Sequence, residues 1–176
     1  MIATNISEAA VSLAEAQAYA RVETGEEEAL LAALVRTASA LCESFTGQVL
    51  VARPFEEMLG PGRKWQRLSL TPIRTIEEVA AVWPDGSSAV LPASEFEVDV
   101  DSRGDGWVRA IGEDVRRLQV RGQVGLAVDP NGVPEPLRQG ILRLVAHLFA
   151  TRDGSDGEPP AAVSALWRPY RRMRLA

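Results

Sequence analysis

Apolar residues recur at helical spacing in two stretches of the chain and alternate with polar ones in the stretch between them. In "EEALLAALVRTASALCESF", Leu30, Leu31, Leu34, Val35, Ala38, Leu41, Cys42 and Phe45 follow the 3.6-residue period of an amphipathic helix. Gly47 is placed to end it. A shorter helix is predicted just before, where Ser12 and Glu15 have capping-box spacing ahead of "LAEAQAYARV", and Thr24 with Glu27 repeats that signal before the long helix. Glu26, Glu27 and Glu28 fall in the first turn, where the helix dipole favours negative charge, so they read as structural.

From position 48 to 128 the period shortens. "QVLVARP", "WQRLSL", "TIEEVAAVW", "EFEVDV" and "RRLQVRGQVGLAV" are rich in β-formers and separated by "GPGRK", "PDGSS" and "SRGDG", which predicts antiparallel strands joined by tight turns. In the last of them Leu118, Val120, Val124, Leu126 and Val128 alternate with Arg117, Gln119, Arg121 and Gln123, as a half-buried strand requires. Asp85-Gly86 is the strongest hairpin turn. Helix returns after Pro134 and Pro136, with an apolar stripe of Leu137, Ile141, Leu144, Val145, Leu148 and Phe149 that marks the core helix. "DGSDGEPP" has linker composition, and "AAVSALW" reads as a last short helix stopped by Pro169.

The pattern gives an α+β fold class: a small α-helical bundle with an antiparallel β region inserted between the second and third main helices. One domain over residues 1–176 is expected, with helices at about 12–47 and 134–168, the β insertion at about 48–128 and a basic tail at 167–176.

Composition adds exclusions. One cysteine, Cys42, and one histidine, His147, rule out an internal disulfide and a Cys/His zinc site within the chain. The start lacks a basic n-region, so it does not read as a secretory signal, and no apolar run suggests a membrane span. A soluble protein made in the cytoplasm is expected. "DVDSRGDG" has Asp99, Asp101 and Asp105 of a calcium loop, but Arg103 and Ala110 occupy ligand positions, so a turn between strands is the better reading. "GPGRK" lacks the spacing and the Ser/Thr of a phosphate loop. His147 edges an apolar stripe without a second histidine, and Cys42 sits on an apolar face. Glu56/Glu57 and Glu77/Glu78 are adjacent in predicted strands and point to opposite faces. No enzyme and no cofactor is expected.

One segment does not fit an acidic chain. The net charge is -5, yet "ALWRPYRRMRLA" holds four arginines, a tryptophan and a tyrosine with no acid. It reads either as a frayed, solvated terminus or as a binding segment, since Trp and Arg are the residues most enriched at interface hot spots. A third reading is a DNA-binding accessory protein that uses the tail as a nucleic-acid arm, against which the acidic body argues.

Taken in order, "SLAEAQAYARV", "EEALLAALVRTASALCESFTGQVL", "TPIRTIEEVAAVWPDG", "LPASEFEVDV", "VPEPLRQGILRLVAHLF" and "VSALWRPYR" make the chain resemble the head-tail connector (adaptor) family of tailed bacteriophages and phage-derived gene transfer agents. The resemblance spans nearly the whole chain. It implies a structural virion protein at the head-tail interface, assembled with itself as a ring, typically a dodecamer. Its partners would be the portal protein at the capsid vertex and a stopper or tail-completion protein, with no membrane. DNA would pass through the channel without specific binding, and an acidic body suits that because every neutralised phosphate adds salt-sensitive affinity. The resemblance also implies a portal contact for the C-terminal segment, in which Trp167 and Tyr170 anchor while Arg168, Arg171, Arg172 and Arg174 pair with portal carboxylates. Because it follows a segment of linker composition and the core helix ends well before it, residues 167–176 also read as a separate tail whose removal leaves the body folded. The linker and "PYRRMRLA" are more charged than the family pattern.

Overall fold

The computed structural model describes residues 2–3, 8–22, 27–111, 117–151 and 160–172. The chain forms two compact units, one of residues 6–51 and 127–176, the other of residues 1–5 and 52–126.

The first unit is helical. It contains helices α1 (Leu13–Ala20), α2 (Glu28–Thr46), α3 (Glu135–Ala150) and α4 (Ala161–Trp167), with a 3-10 turn at Pro130–Gly132 leading into α3 and another at Arg168–Tyr170 following α4. The Ser12 capping box forms in full: the Ser12 hydroxyl accepts from the Glu15 N–H at 3.2 Å and the Glu15 carboxylate accepts from the Ser12 N–H at 2.9 Å. The second expected box is not described at Thr24, and Glu27 occupies the N-cap of α2 with no side-chain cap bond. Gly47 ends α2 with a φ of 68°, and its N–H donates to the Glu43 carbonyl.

The α2 stripe divides. Leu31, Val35, Ala38 and Cys42 are buried, while Leu30 and Leu41 are exposed. Helix α2 is long and apolar enough by length and composition to pass as a membrane span, a test that a buried core helix also passes. Its buried face packs against α1, α3 and α4, as a core helix does. On α3, Leu137, Ile141, Leu144 and Val145 are buried as expected, and Leu142 joins them, whereas Leu148 and Phe149 are only half-buried.

The second unit is antiparallel β. It contains β1 (Ile2–Ala3), β2 (Arg53–Leu59), β3 (Gln66–Arg67), β4 (Ile73–Val82), β5 (Ser88–Val90), β6 (Phe96–Val100), β7 (Gly106–Ala110) and β8 (Arg117–Val124). These form a five-stranded sheet of order β1-β2-β8-β4-β5 and a three-stranded sheet of order β3-β7-β6. Central strand β8 buries Leu118, Val120, Gly122 and Val124 and turns Arg117 and Arg121 outward. It stops at Val124, because Gly125 takes a φ of 149° and its N–H turns to the Pro72 carbonyl. Val128, expected on the strand's buried face, is 67% exposed.

Three further boundaries move. "QVLVARP" is not a strand as a whole, since β2 begins only at Arg53. "WQRLSL" contributes just Gln66–Arg67. The "SRGDG" turn does join two strands, β6 and β7, and the Asp101 carboxylate ties it by accepting from the Arg103 and Asp105 N–H groups at 2.8 and 2.9 Å. The Asp85-Gly86 hairpin connects β4 to β5, closed by a bond from the Trp83 N–H to the Ser87 carbonyl. Glu56 and Glu57 point apart as expected: Glu56 is bonded to Arg121 at 2.9 Å, while Glu57 is buried and accepts the Ser69 N–H.

Candidate partner-binding surface

The basic segment is built onto the helical unit rather than hung from it. Helix α4 ends at Trp167, and Pro169 in the following 3-10 turn leaves the chain no N–H to continue an α-helical ladder. Trp167 is 4% exposed. Its indole N–H donates to the Leu137 carbonyl on α3 at 3.2 Å, and its ring meets Phe45 of α2 with centroids 5.8 Å apart at 55°. The close approach is possible because residue 140 is glycine: a β-carbon there would stand 2.1 Å from the indole nitrogen.

Beyond Trp167 the chain is tied to the C-terminal end of α2. The Gln48 side-chain amide donates to the Tyr170 carbonyl at 2.6 Å, and the Arg172 N–H donates to the Thr46 carbonyl at 2.8 Å. The Arg171 guanidinium lies over the Phe45 ring, 5.5 Å from its centroid. The Arg172 bond uses a Thr46 carbonyl that the C-terminus of α2 leaves without an intrahelical donor, and Arg171 sits where the helix dipole favours positive charge.

Two sequence expectations are corrected here. Trp167 is not a free anchor awaiting a partner, because an indole surrounded by α2 and α3 already spends its area and its N–H inside the chain. Residues 167–172 are not a separable tail, because they carry bonds to Leu137, Gln48 and Thr46. What remains outward is Arg168 and Arg171, both exposed, with Tyr170 and Arg172 half-exposed. Arg174 and the linker at 152–159 lie outside the described residues. Beside this surface runs an open apolar groove of about 550 Å³ lined by Leu41, Phe45, Leu144, Val163 and Trp167 among others. The sequence signal for the groove is Leu41, an apolar residue whose helical spacing puts it in the stripe, although spacing alone does not reveal that α4 forms a wall of the groove and leaves Leu41 exposed.

The other residues weighed for chemistry are accounted for locally. Cys42 is fully buried, and burial pushes its thiol far above the ordinary range, so it is not a nucleophile. Asp99, Asp101 and Asp105 are parts of a hairpin, and among the described residues no cluster of acids, His or Cys is arranged to hold a metal.

No protein-family model matches the chain, and no curated protein matches it. Solved structures do. The chain is similar to one in the neck of an empty gene transfer agent particle, a structure computed with C6 symmetry, at 25% identity and a TM-score of 0.80, over 100% of this chain and 97% of that one. It also shares its fold with a chain in the virion of a native gene transfer agent particle (24% identity, TM-score 0.78) and with one in the neck of the native particle computed with C12 symmetry (22%, 0.79). Both likenesses again cover 100% of this chain and 97% of the other. The connector resemblance read from the sequence is thereby supported over the full chain.

Proposed function

We propose that this chain, a structural neck protein of the phage and gene transfer agent type, is the adaptor that joins the portal to the tail-proximal stopper as a ring around the DNA channel. The observation that carries the reading is the full-length likeness to a chain in the neck of a gene transfer agent particle at 25% identity. Coverage of 97% of that chain means that the helical and β units are both present in the relative. A ring follows from a heterologous contact repeated until rotation closes it, and the neck structures that share this fold were computed with sixfold and twelvefold symmetry.

In this role the portal-facing surface consists of Arg168, Tyr170, Arg171 and Arg172, together with Arg174, and portal carboxylates are its partners. Trp167 serves it from beneath, holding the 3-10 turn at a fixed height on α2 and α3. Pre-ordering the turn removes the entropy that a flexible tail loses on docking. The rest of the chain is acidic, so a duplex passing through meets little that neutralises its phosphates.

Electron microscopy of the purified chain with and without its portal tests the reading. A ring seated on the portal is the expected result. A chain that never binds portal but retains duplex DNA through its arginines would replace this reading with the nucleic-acid arm.

A further inference from the structure

The three-stranded sheet β3-β7-β6 carries opposite charges along its two outer strands. On the β3 side, Arg63 and Lys64 are exposed beside Trp65, which is 40% exposed. On the β6 side stand Glu95, Glu97, Asp99 and Asp101, with Val98 and Val100 43% and 40% exposed between them. The charges over the middle of the sheet are matched internally. Arg67 pairs with Asp105 at 2.8 Å, Arg109 pairs with Glu97, and the two guanidiniums lie over Trp107 and Trp65 at 5.9 and 4.9 Å. Arg63, Lys64, Glu95 and Asp99 form no ion pair among the described residues. The unmatched charge is thus sorted to opposite edges of one sheet, positive at β3 and negative at β6.

We propose that copies of this chain meet edge to edge, the β3 edge of one against the β6 edge of the next, and that this contact is the head-to-tail joint of the ring; the proposal rests on the ring reading above. The occupant of each edge is a second copy because each edge carries the charge that the other lacks. Both β3 and β6 run antiparallel to β7 and therefore parallel to each other. A neighbour related by a small rotation accordingly brings its β6 alongside β3 in the same direction. The edges face opposite ways, so each copy offers one of each kind and the contact propagates. The acidic row also repels a second β6, which removes the two-fold alternative of pairing like with like.

Lys64 is the single lysine in the chain, which gives the proposal a selective test. Zero-length carbodiimide coupling of the full chain joins an amine to a carboxylate that touches it. The expected result is a ladder of covalent oligomers, absent in Lys64→Arg, whose linked peptides join Lys64 to Glu95 or Asp99 of another copy. Sedimentation at low salt supplies the second arm. Arg63→Glu/Lys64→Glu and Glu95→Lys/Asp99→Lys each lose self-association by at least about tenfold, while an equimolar mixture regains it, since alternating copies restore opposite charge at every joint. A single chain carrying all four reversals also regains it. The near-ultraviolet circular dichroism of each variant checks its fold, and Arg63→Gln/Lys64→Gln replaces any reversal that fails to fold. No oligomer of the natural chain at any concentration, links from Lys64 to other carboxylates, or no rescue on mixing overturns the proposal. No portal is present in the test, so failure here leaves the portal reading standing, and failure to bind portal leaves this contact standing.

Discussion

Trp167 and Gly140 are matched as a knob and a notch: the indole nitrogen occupies a point only 2.1 Å from where a β-carbon on residue 140 would lie. Two indole carbons, Cδ1 and Cε2, would each be 2.8 Å away. Glycine inside a helix costs about 1 kcal/mol relative to alanine. Its presence in α3 is explained by what it admits, the buried ring and its bond to the Leu137 carbonyl.

Gly140→Ala is therefore expected to destabilise the protein although it improves helix propensity. Overpacking of this kind costs roughly 1 to 3 kcal/mol, and the displaced indole also loses its hydrogen bond. Urea unfolding checks this, with Trp167→Ala as the second arm of a double-mutant cycle. In the Trp167→Ala background the penalty at residue 140 should vanish and the propensity gain should appear.

The same geometry reverses the expected result of truncation. Removing residues 167–176 takes out a buried side chain of α4 together with bonds from Gln48 and to Thr46. Replacing a core tryptophan by alanine costs roughly 3 to 5 kcal/mol, and truncation should cost no less. A truncated chain whose thermal midpoint matches that of the full chain would mean that Trp167 is not part of the core.

How much of this was legible beforehand depends on the range of the interaction concerned. Ser12 with Glu15, Gly47, and the stripe through Leu137, Ile141 and Leu144 were readable because each is set by residues within a few positions of one another. The sequence pattern starts β2 too early and does not mark β5 or β7, because a strand's limits are fixed by its partners: β2 begins where Arg53 pairs with Val124. The burial of Trp167 is hidden from the sequence for the same reason. A tryptophan beside arginines has hot-spot composition, and only the packing of α4 across 27 residues onto Gly140 shows that the ring faces inward. Val128 departs from the pattern because alternation continues through Gly125 in the sequence but not in the backbone.

Leu144 is buried on α3 and also borders the groove beside Trp167. Leu144→Ala should cost roughly 2 to 5 kcal/mol, toward the lower end if the groove lets neighbouring side chains collapse into the space. Differential scanning calorimetry of the variant gives the value, and an unchanged midpoint would remove Leu144 from the core.

Acid should loosen the start of α1. The Glu15 carboxyl is held below its usual range, first by the Ser12 N–H, then by the Ser12 hydroxyl and the Arg138 guanidinium, with burial opposing them. A depressed folded-state pKa gives stability that is present above the unfolded value, near 4.3 for Glu, and is lost as pH falls through the folded one. The Ser12 amide resonance should accordingly shift, and its protection relative to an unstructured amide should fall, as pH drops below the unfolded carboxyl range, followed by NMR. Glu15→Gln should flatten that response.

Arg168, Arg171, Arg172 and Arg174 provide the test that separates surface from support. Changing all four to Gln removes charge but leaves Trp167, and the Arg172 bond to Thr46 uses a backbone N–H that the substitution keeps. Folding should therefore stay close to that of the natural chain, apart from the small cation–π contribution of Arg171 over Phe45 and the further interaction that Arg172 makes. Portal binding should weaken in steps as the arginines are replaced one after another. The natural chain should itself lose affinity with rising salt, since exposed pairs are screened over about 8 to 10 Å at physiological ionic strength, and the fourfold variant should lose that salt dependence. Trp167→Ala should show the opposite signature: lower stability, with binding recovered at temperatures where the variant remains folded. Binding measured by co-sedimentation with portal at two salt concentrations, alongside duplex DNA, distinguishes the cases. Equal portal binding by the natural chain and the fourfold variant would remove the arginines from the interface, and loss of DNA retention alone would make them a nucleic-acid arm.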